Sequence, residues 1–387
     1  MTVIKDNTVW EYTRAGRLSG TISQAHRAIP EPGPGELVIK VRAAALNPVD
    51  EQLYVAVAPH ASILTDSAQA PPTFLNLTGC TPPTPTTPLV PGIDFAGVVH
   101  ASKSAAYAVG DQVYGQRFSP AGHGFLAEYV TVHASAPFVK KPKELSWAEA
   151  AAVPLVYTTV YDALVEWGRL PFLTGGGRGL SVLVLGGSSG TGHVAVQLAK
   201  KMGCNVVATC SGKNAQMVKD LGADDIIDYT TQHVPQAALM SQYAPYAVVL
   251  DCVGGTALLP HLDHLLLNSA EHPQLGIYVT IVGDKTSRDA MGGAATNLYT
   301  PAQVVRTALG RLNDYLPRWT RTWTGRRYAC IMLDPTKEKL ETYDKFLTAG
   351  GKVMVDGVWG FDEAREAYKR LESARAKGKV VVEVSKE

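Results

Sequence analysis

Apolar positions along the chain change their period near the middle. Up to about Ala150 they fall in short β-branched runs bounded by Gly and Pro. Glu36–Leu46 (ELVIKVRAAAL) and Asp94–Ala101 (DFAGVVHA) read as buried strands. Between them Tyr54–Pro88 is irregular and ends in TPPTPTTP. Proline lacks the N–H donor, so this tract cannot pair within a central sheet and is a surface loop, an insertion or a linker. From Ser181 strands alternate with helices. SVLVLG is continuously apolar, as in a parallel sheet covered on both faces. HVAVQLAKKMG follows with helical spacing, then the strand NVVATC and the helix KNAQMVKDLGA, closed by Gly222. DIIDY, YAVVLD, IYVTIVG and YACIML (Tyr328–Leu333) complete a set of six strands. Such alternation implies right-handed crossovers and an α/β fold with a doubly wound sheet.

Beyond that sheet come PTKEKLETYDKFLTAGG, read as one amphipathic helix, VMVDGVWGF, the helix DEAREAYKRLESARA and the strand KVVVEV. A six-stranded sheet has no place for them, so the tail is expected to return to the first part of the chain. The expected division is 1–155, 156–334 inserted within it, and 335–387 as the return.

A chain of 387 residues suits two cores rather than one. The net charge of +1 gives no electrostatic ground for nucleic acid or an anionic membrane as partner. The five cysteines form no CxxC pair and are odd in number, which argues against a disulfide framework and for a reducing compartment. The first twenty residues have no apolar core of a signal peptide and few basic residues, and no apolar run reaches spanning length. A cytoplasmic location is expected, with a mitochondrial one left open.

The sharpest motif is LGGSSGTGHVAVQLAK, Leu185–Lys200. It follows a buried strand and opens a helix, the setting in which backbone N–H groups and the helix dipole meet a pyrophosphate. Gly187, Gly190 and Gly192 allow the tight turn, with Ser188, Ser189 and Thr191 beside them as cofactor contacts. Which dinucleotide binds depends on the end of the second strand. A site for the unphosphorylated ribose usually places an acid there. This chain has Thr209-Cys210-Ser211-Gly212-Lys213 instead, so Ser211 and Lys213, with Tyr229 after the third strand, are expected to hold a 2′-phosphate and hence NADPH.

With AALNPVD (Ala44–Asp50), PLVPGIDFAGVV (Pro88–Val99), VGDQVYG, GFLAEYV, AAAVPLVYTTVYDAL, the glycine turn, LGADDIIDY and GKVVVEV in view, the chain resembles the quinone oxidoreductase branch of the medium-chain dehydrogenase/reductase superfamily over nearly its whole length. The insertion after Asp50 and RYACIML are most similar to reticulon-interacting reductases, with fungal trans-acting enoyl reductases close behind. The resemblance implies a GroES-like β-rich catalytic domain, an inserted Rossmann domain and an active site in the cleft between them. Zinc members carry a catalytic Cys where this chain has Asn47 and His-Glu where it has Ile93-Asp94. They also carry a cluster of four cysteines that this chain lacks. No metal is therefore expected. His123 has no partners at ligand spacing.

Hydride arriving on a conjugated carbonyl or quinone leaves negative charge on oxygen, which needs a donor. By resemblance Asn47 and Tyr54 are the catalytic candidates, Asn47 also touching the cofactor. Thr158 would face the nicotinamide, and Val253, Gly254, Val282 and Gly283 would line the cofactor by backbone contact. The expected activity is NADPH-dependent reduction of a quinone or an α,β-unsaturated carbonyl compound. The rivals are a trans-acting enoyl reductase serving a polyketide synthase and a catalytically idle nucleotide-binding protein acting through protein contacts. The open partners are a second copy, as a homodimer, and a synthase or carrier protein.

Overall fold

A computed structural model of the protein describes residues 6–14, 16–50, 83–119, 122–269, 271–272, 274–285, 301–315, 327–331 and 334–385. Tyr54 lies outside the described residues.

The first part is a sheet built from β3 (Glu36–Leu46), β4 (Asp94–Ser102), β5 (Gln112–Gln116), β6 (Tyr129–His133) and β7 (Phe138–Lys140), preceded by the hairpin-like pair β1 (Asp6–Glu11) and β2 (Ser23–Ala28). That pair was not foreseen. Its β2 strand, SQAHRA, is polar and largely exposed, and so carries no apolar alternation to read. Two helices then lead out of the sheet. α1 (Trp147–Ala152) starts at a capping box, in which Ser146 Oγ accepts from Glu149 N and the Glu149 carboxylate accepts from Ser146 N. α2 (Pro154–Tyr161) has Pro154 in its first turn, where the missing N–H costs nothing.

The second sheet contains β8 (Ser181–Leu185), β9 (Asn205–Cys210), β10 (Asp225–Asp228), β11 (Val248–Asp251), β12 (Ile277–Thr280) and β13 (Arg327–Cys330), all parallel, in the order β10-β9-β8-β11-β12-β13. Between them run α3 (Gly192–Lys201), α4 (Ala215–Asp220), α5 (Val234–Met240) and α6 (Pro301–Tyr315). Successive side chains of β8 enter different clusters: Val182 and Val184 join one core, Leu183 and Leu185 another. Burial on both faces is why this strand reads as unbroken apolar sequence. The order is that of a Rossmann fold, with its reversal between β8 and β11.

The tail does return to the first sheet. The expected single helix is two, α7 (Lys337–Glu341) and α8 (Tyr343–Thr348), broken at Thr342, whose hydroxyl donates to Lys339 O. Then β14 (Val355–Gly360), α9 (Ala364–Glu372) and β15 (Lys379–Glu383) follow. β15 pairs antiparallel with β3, Val380 opposite Leu46 and Glu383 opposite Ala43, giving the order β14-β15-β3-β4-β5-β7 with β6 also on β3. The Rossmann sheet is thus inserted within a GroES-like unit. Among the described residues no helix is long and apolar enough to cross a membrane.

Candidate active site

The turn between β8 and α3 is held from beneath by Thr209 of β9. Gly186 N donates to Thr209 Oγ1 at 2.9 Å and Gly187 N to Thr209 O at 2.8 Å. Ser189 Oγ accepts from Gly192 N at 3.0 Å, and Ser188 Oγ accepts from Asn214 Nδ2 at 3.2 Å. A Cβ at Gly192 would stand 2.1 Å from Gly186 O, so the turn closes only without one. At Gly190 a Cβ would meet nothing closer than 3.4 Å, from Gly378 O. A side chain there would meet only ordinary contacts within the protein. Thr191 is buried at the start of α3.

At the end of β9, Ser211 Oγ and Asn214 Oδ1 are buried polar atoms without a hydrogen-bond partner. Such orphans are costly unless a partner arrives: the Ser211 hydroxyl can donate or accept, and Asn214 Oδ1 needs a donor such as a hydroxyl. Lys213 and Tyr229 are exposed nearby in the chain. Asn214 was not foreseen; its place one residue after Lys213 and its unpaired oxygen are the signal. One expectation needs correction. An acid does stand beside the end of the second strand, supplied by the third. Asp228 pairs in register with Cys210, and its carboxyl lies below the usual range because the Thr230 hydroxyl and amide and the Gly212 N–H donate to it. Reading along one strand cannot see the neighbour that pairing brings alongside.

Under α2 lies a buried polar floor drawn from four strands. Asn47, just after β3, is turned by Asp50, whose carboxylate accepts from Asn47 N at 2.9 Å. Asn47 Nδ2 donates to Asp94 Oδ2 at 2.9 Å and to Ala45 O at 3.3 Å, and Asn47 Oδ1 accepts from Lys379 Nζ. Lys379 Nζ also donates to Asp94 Oδ2 at 2.9 Å, and Asp94 Oδ1 accepts from Leu155 N at 3.0 Å. Burial pushes the Asp94 carboxyl up, opposed chiefly by the Lys379 charge. Both amide hydrogens of Asn47 are therefore spent inside the protein, which corrects the expectation of a free donor to substrate. Lys379, only 3% exposed, was missed as a site residue; its GKVVVEV motif reads as an ordinary closing strand. Gln116, opposite Asp94 in β5, donates through Nε2 to Thr158 Oγ1 at 2.7 Å, and that hydroxyl is within 2.9 Å of Pro154 O. The neighbouring Thr159 Oγ1 is buried without a partner.

The strand ends after β11 and β12 meet. Gly255 N donates to Gly283 O at 2.8 Å, and a Cβ on Gly254 would lie 2.0 Å from Lys285 O. Val253 N and Gly254 N donate to the buried Asp251 carboxylate, and Val282 N and Gly283 N reach Thr280 Oγ1. These N–H groups shape the rim and are occupied by it. Val253 is 46% exposed, so its side chain, not its amide, is the part offered outward.

Two such sheets meeting at a dinucleotide turn are the construction of a nicotinamide-dependent dehydrogenase or reductase. Comparison with known proteins agrees. Residues 33–143 match the alcohol dehydrogenase GroES-like domain and residues 221–382 the zinc-binding dehydrogenase family. The mitochondrial NAD(P)H oxidoreductase RTN4IP1 of Danio rerio is 29% identical over 355 residues, 91% of this chain and 84% of that protein. The trans-enoyl reductase pgmF of Aspergillus terreus is 30% identical, covering 91% and 87%. The quinone oxidoreductase structure from Coxiella burnetii superposes with a TM-score of 0.71 over 98% of this chain and 100% of that one, at 24% identity. The chain belongs to the medium-chain dehydrogenase/reductase superfamily, in its quinone oxidoreductase branch, and is an oxidoreductase of the nicotinamide-using kind.

Proposed function

We propose that this protein is an NADPH-dependent reductase that delivers hydride to a quinone or an α,β-unsaturated carbonyl compound without a metal. The observation that carries it is the chemistry of the floor. Of the two ligand positions of zinc members, one is held here by the buried, apolar Ile93 and the other by Asn47, which with the neighbouring Asp94 has its polar atoms committed to each other, to the Lys379 ammonium and to backbone. A site that already contains a cation and no thiolate or imidazole does not suit Zn²⁺. Among the described residues no group of three His, Cys, Asp or Glu side chains stands together to bind an ion.

A bound nicotinamide supplies the hydride. Gly187, Ser188, Ser189, Gly190, Thr191 and Gly192 would cradle its pyrophosphate, and Ser211, Lys213, Asn214 and Tyr229 the adenosine end, where the orphaned Ser211 hydroxyl can donate to a phosphate and the orphaned Asn214 Oδ1 can accept from a ribose hydroxyl. Thr158, Val253, Gly254, Val282 and Gly283 would surround the nicotinamide. Asn47 then orders the floor rather than donating directly, which leaves Tyr54 as the candidate donor to the developing oxyanion. The division 1–155, 156–334 and 335–387 and a cytoplasmic location belong to the same proposal.

The deciding experiment follows NADPH consumption with quinones, enals, enones and acyl thioesters. Turnover of quinones or free enones is the expected result. Turnover of acyl thioesters alone would move the assignment to the trans-acting enoyl reductase, and cofactor binding without turnover of any acceptor to the idle binding protein. Elemental analysis should find no stoichiometric zinc, and chelators should leave the rate unchanged. Tyr54→Phe should lower the single-turnover rate by roughly a hundredfold, the effect of removing one oxyanion donor, without weakening NADPH. A near-wild-type rate would remove Tyr54 from the site.

A further inference from the structure

Between the glycine turn and the floor under α2 runs a line of hydrogen bonds, part-buried at the turn and fully buried at the floor, that joins the two units. It begins at Ser189 in the turn, whose carbonyl oxygen lies 3.0 Å from His193 Nδ1. A carbonyl only accepts, so this contact fixes the ring proton on Nδ1 and leaves Nε2 as an acceptor. The backbone N–H of Met354 donates to Nε2 at 2.9 Å. Met354 O in turn accepts from the backbone N–H of Lys379 at 2.8 Å. The Lys379 side chain then delivers its ammonium to Asn47 Oδ1 and Asp94 Oδ2. His193, Lys379, Asp94 and Asn47 are all buried. The same face of α3 grips the tail twice more. Gln197 Nε2 donates to Lys352 O while its Oε1 accepts from Lys352 N, and Lys201 Nζ donates to Ala349 O at 2.6 Å.

Two features mark this line as more than packing. The lysine stem runs beside the turn, its Cδ 3.6 Å from where a Gly190 Cβ would be, so one residue touches both the turn and the floor. And a buried ammonium–carboxylate pair adds little to stability compared with apolar side chains of similar volume, while it does demand one geometry.

We propose that Lys379, braced through Met354 by His193, is a positioning residue for hydride transfer: it sets the glycine turn at a fixed height above the Asn47–Asp94 floor. This rests on the reductase reading above. Its consequence is physical. A cofactor anchored by its pyrophosphate in the turn has its nicotinamide placed by the distance from turn to floor, and an error of about 1 Å in a reacting pair can cost about a hundredfold in rate.

The test uses the full-length protein. Lys379→Met combined with Asp94→Asn removes both charges at once and strands neither. His193→Gln keeps one donor and one acceptor, whereas His193→Leu removes both. Three quantities are read: NADP⁺ affinity by calorimetry, the emission of bound NADPH, which reports the nicotinamide's surroundings, and the single-turnover rate per folded molecule. The paired variant should bind NADP⁺ within about threefold of wild type, because the turn itself is intact. It should shift the emission of bound NADPH and slow the hydride step by about ten- to a hundredfold. His193→Leu should move both readings the same way, and His193→Gln should return them to wild-type values. Variants with lowered thermal midpoints but wild-type emission and rate would reduce the line to packing and overturn the proposal. Should the paired variant not fold, the two His193 variants decide it by the same readings. If the wild type binds NADPH yet turns over no acceptor, the reductase reading fails, while the emission still decides whether Lys379 positions the nicotinamide.

Discussion

At the scale of single residues, the adenosine end sets two opposed charges near one another. Lys213 is exposed and Ser211 Oγ is orphaned, which favours a 2′-phosphate; Asp228 lies close behind Gly212, which opposes one. The carboxylate is tied to Gly212 N and Thr230, so its lone pairs are already engaged. NADPH should therefore bind more tightly than NADH in direct titration, and equal or tighter NADH binding would contradict the assignment. Lys213→Ala should weaken NADPH about five- to a hundredfold, the range of a charge-assisted hydrogen bond, with NADH within twofold. Asp228→Asn should act in the reverse sense, strengthening NADPH while leaving NADH alone, since Asn can still accept from Gly212 N. Loss of affinity for both cofactors in that variant would show the acid to be needed for the turn itself.

At the scale of elements, two glycines of one turn separate folding from binding. Gly192→Ala puts a Cβ 2.1 Å from Gly186 O and should both destabilise the protein and abolish cofactor binding. Gly190→Ala meets only ordinary contacts at 3.4 Å and beyond, so thermal unfolding should stay near wild type while NADPH affinity falls by at least tenfold. Affinity unchanged in Gly190→Ala would place the pyrophosphate elsewhere. The elements that sequence made legible are those with an undiluted period. β8, β9, β11 and β12 are buried on both faces, and the glycine turn sits between a strand and a helix that each announce themselves. What stayed hidden arises from pairing across distance. The polar β2 has no alternation to read, and the tail holds two helices, meeting at Thr342, where one was expected. Asp228 reaches the ribose end from the next strand, and Lys379 meets Asn47 from 332 residues away. No local pattern encodes a contact of that kind, which is why Asn47 reads as a free donor until its partners are seen.

At the scale of the whole molecule, the two sheets are joined by residues that must stay uncharged or paired to remain buried, and His193 makes that join sensitive to acid. Burial lowers its pKa from 6.5 to about 4, outweighing the Ser189 carbonyl that favours the protonated ring, and the Lys379 charge lowers it further. The sign follows from proton counting. Between these two values the unfolded chain binds a proton that the folded one refuses, so stability is fully present above about pH 6.5 and drains away as the pH falls towards 4. The loss at pH 4.5 should amount to about 2–3 kcal/mol. Asp162 works in the opposite sense. Burial raises its carboxyl to about 6, so the folded state holds the extra proton below that pH, and this gain is eroded as the pH rises from about 4 to 6. The net pH profile of the wild type alone therefore cannot isolate His193, but a difference can. His193→Gln retains Asp162 and every other titrating group while removing the imidazole, so the Asp162 contribution cancels between the two proteins. Reversible urea unfolding of both at pH 7 and pH 4.5 should show the wild type losing about 2–3 kcal/mol more than the variant over that interval. Parallel losses would mean that the imidazole takes up its proton in the folded protein, opening the bond to Met354 N–H without unfolding the join.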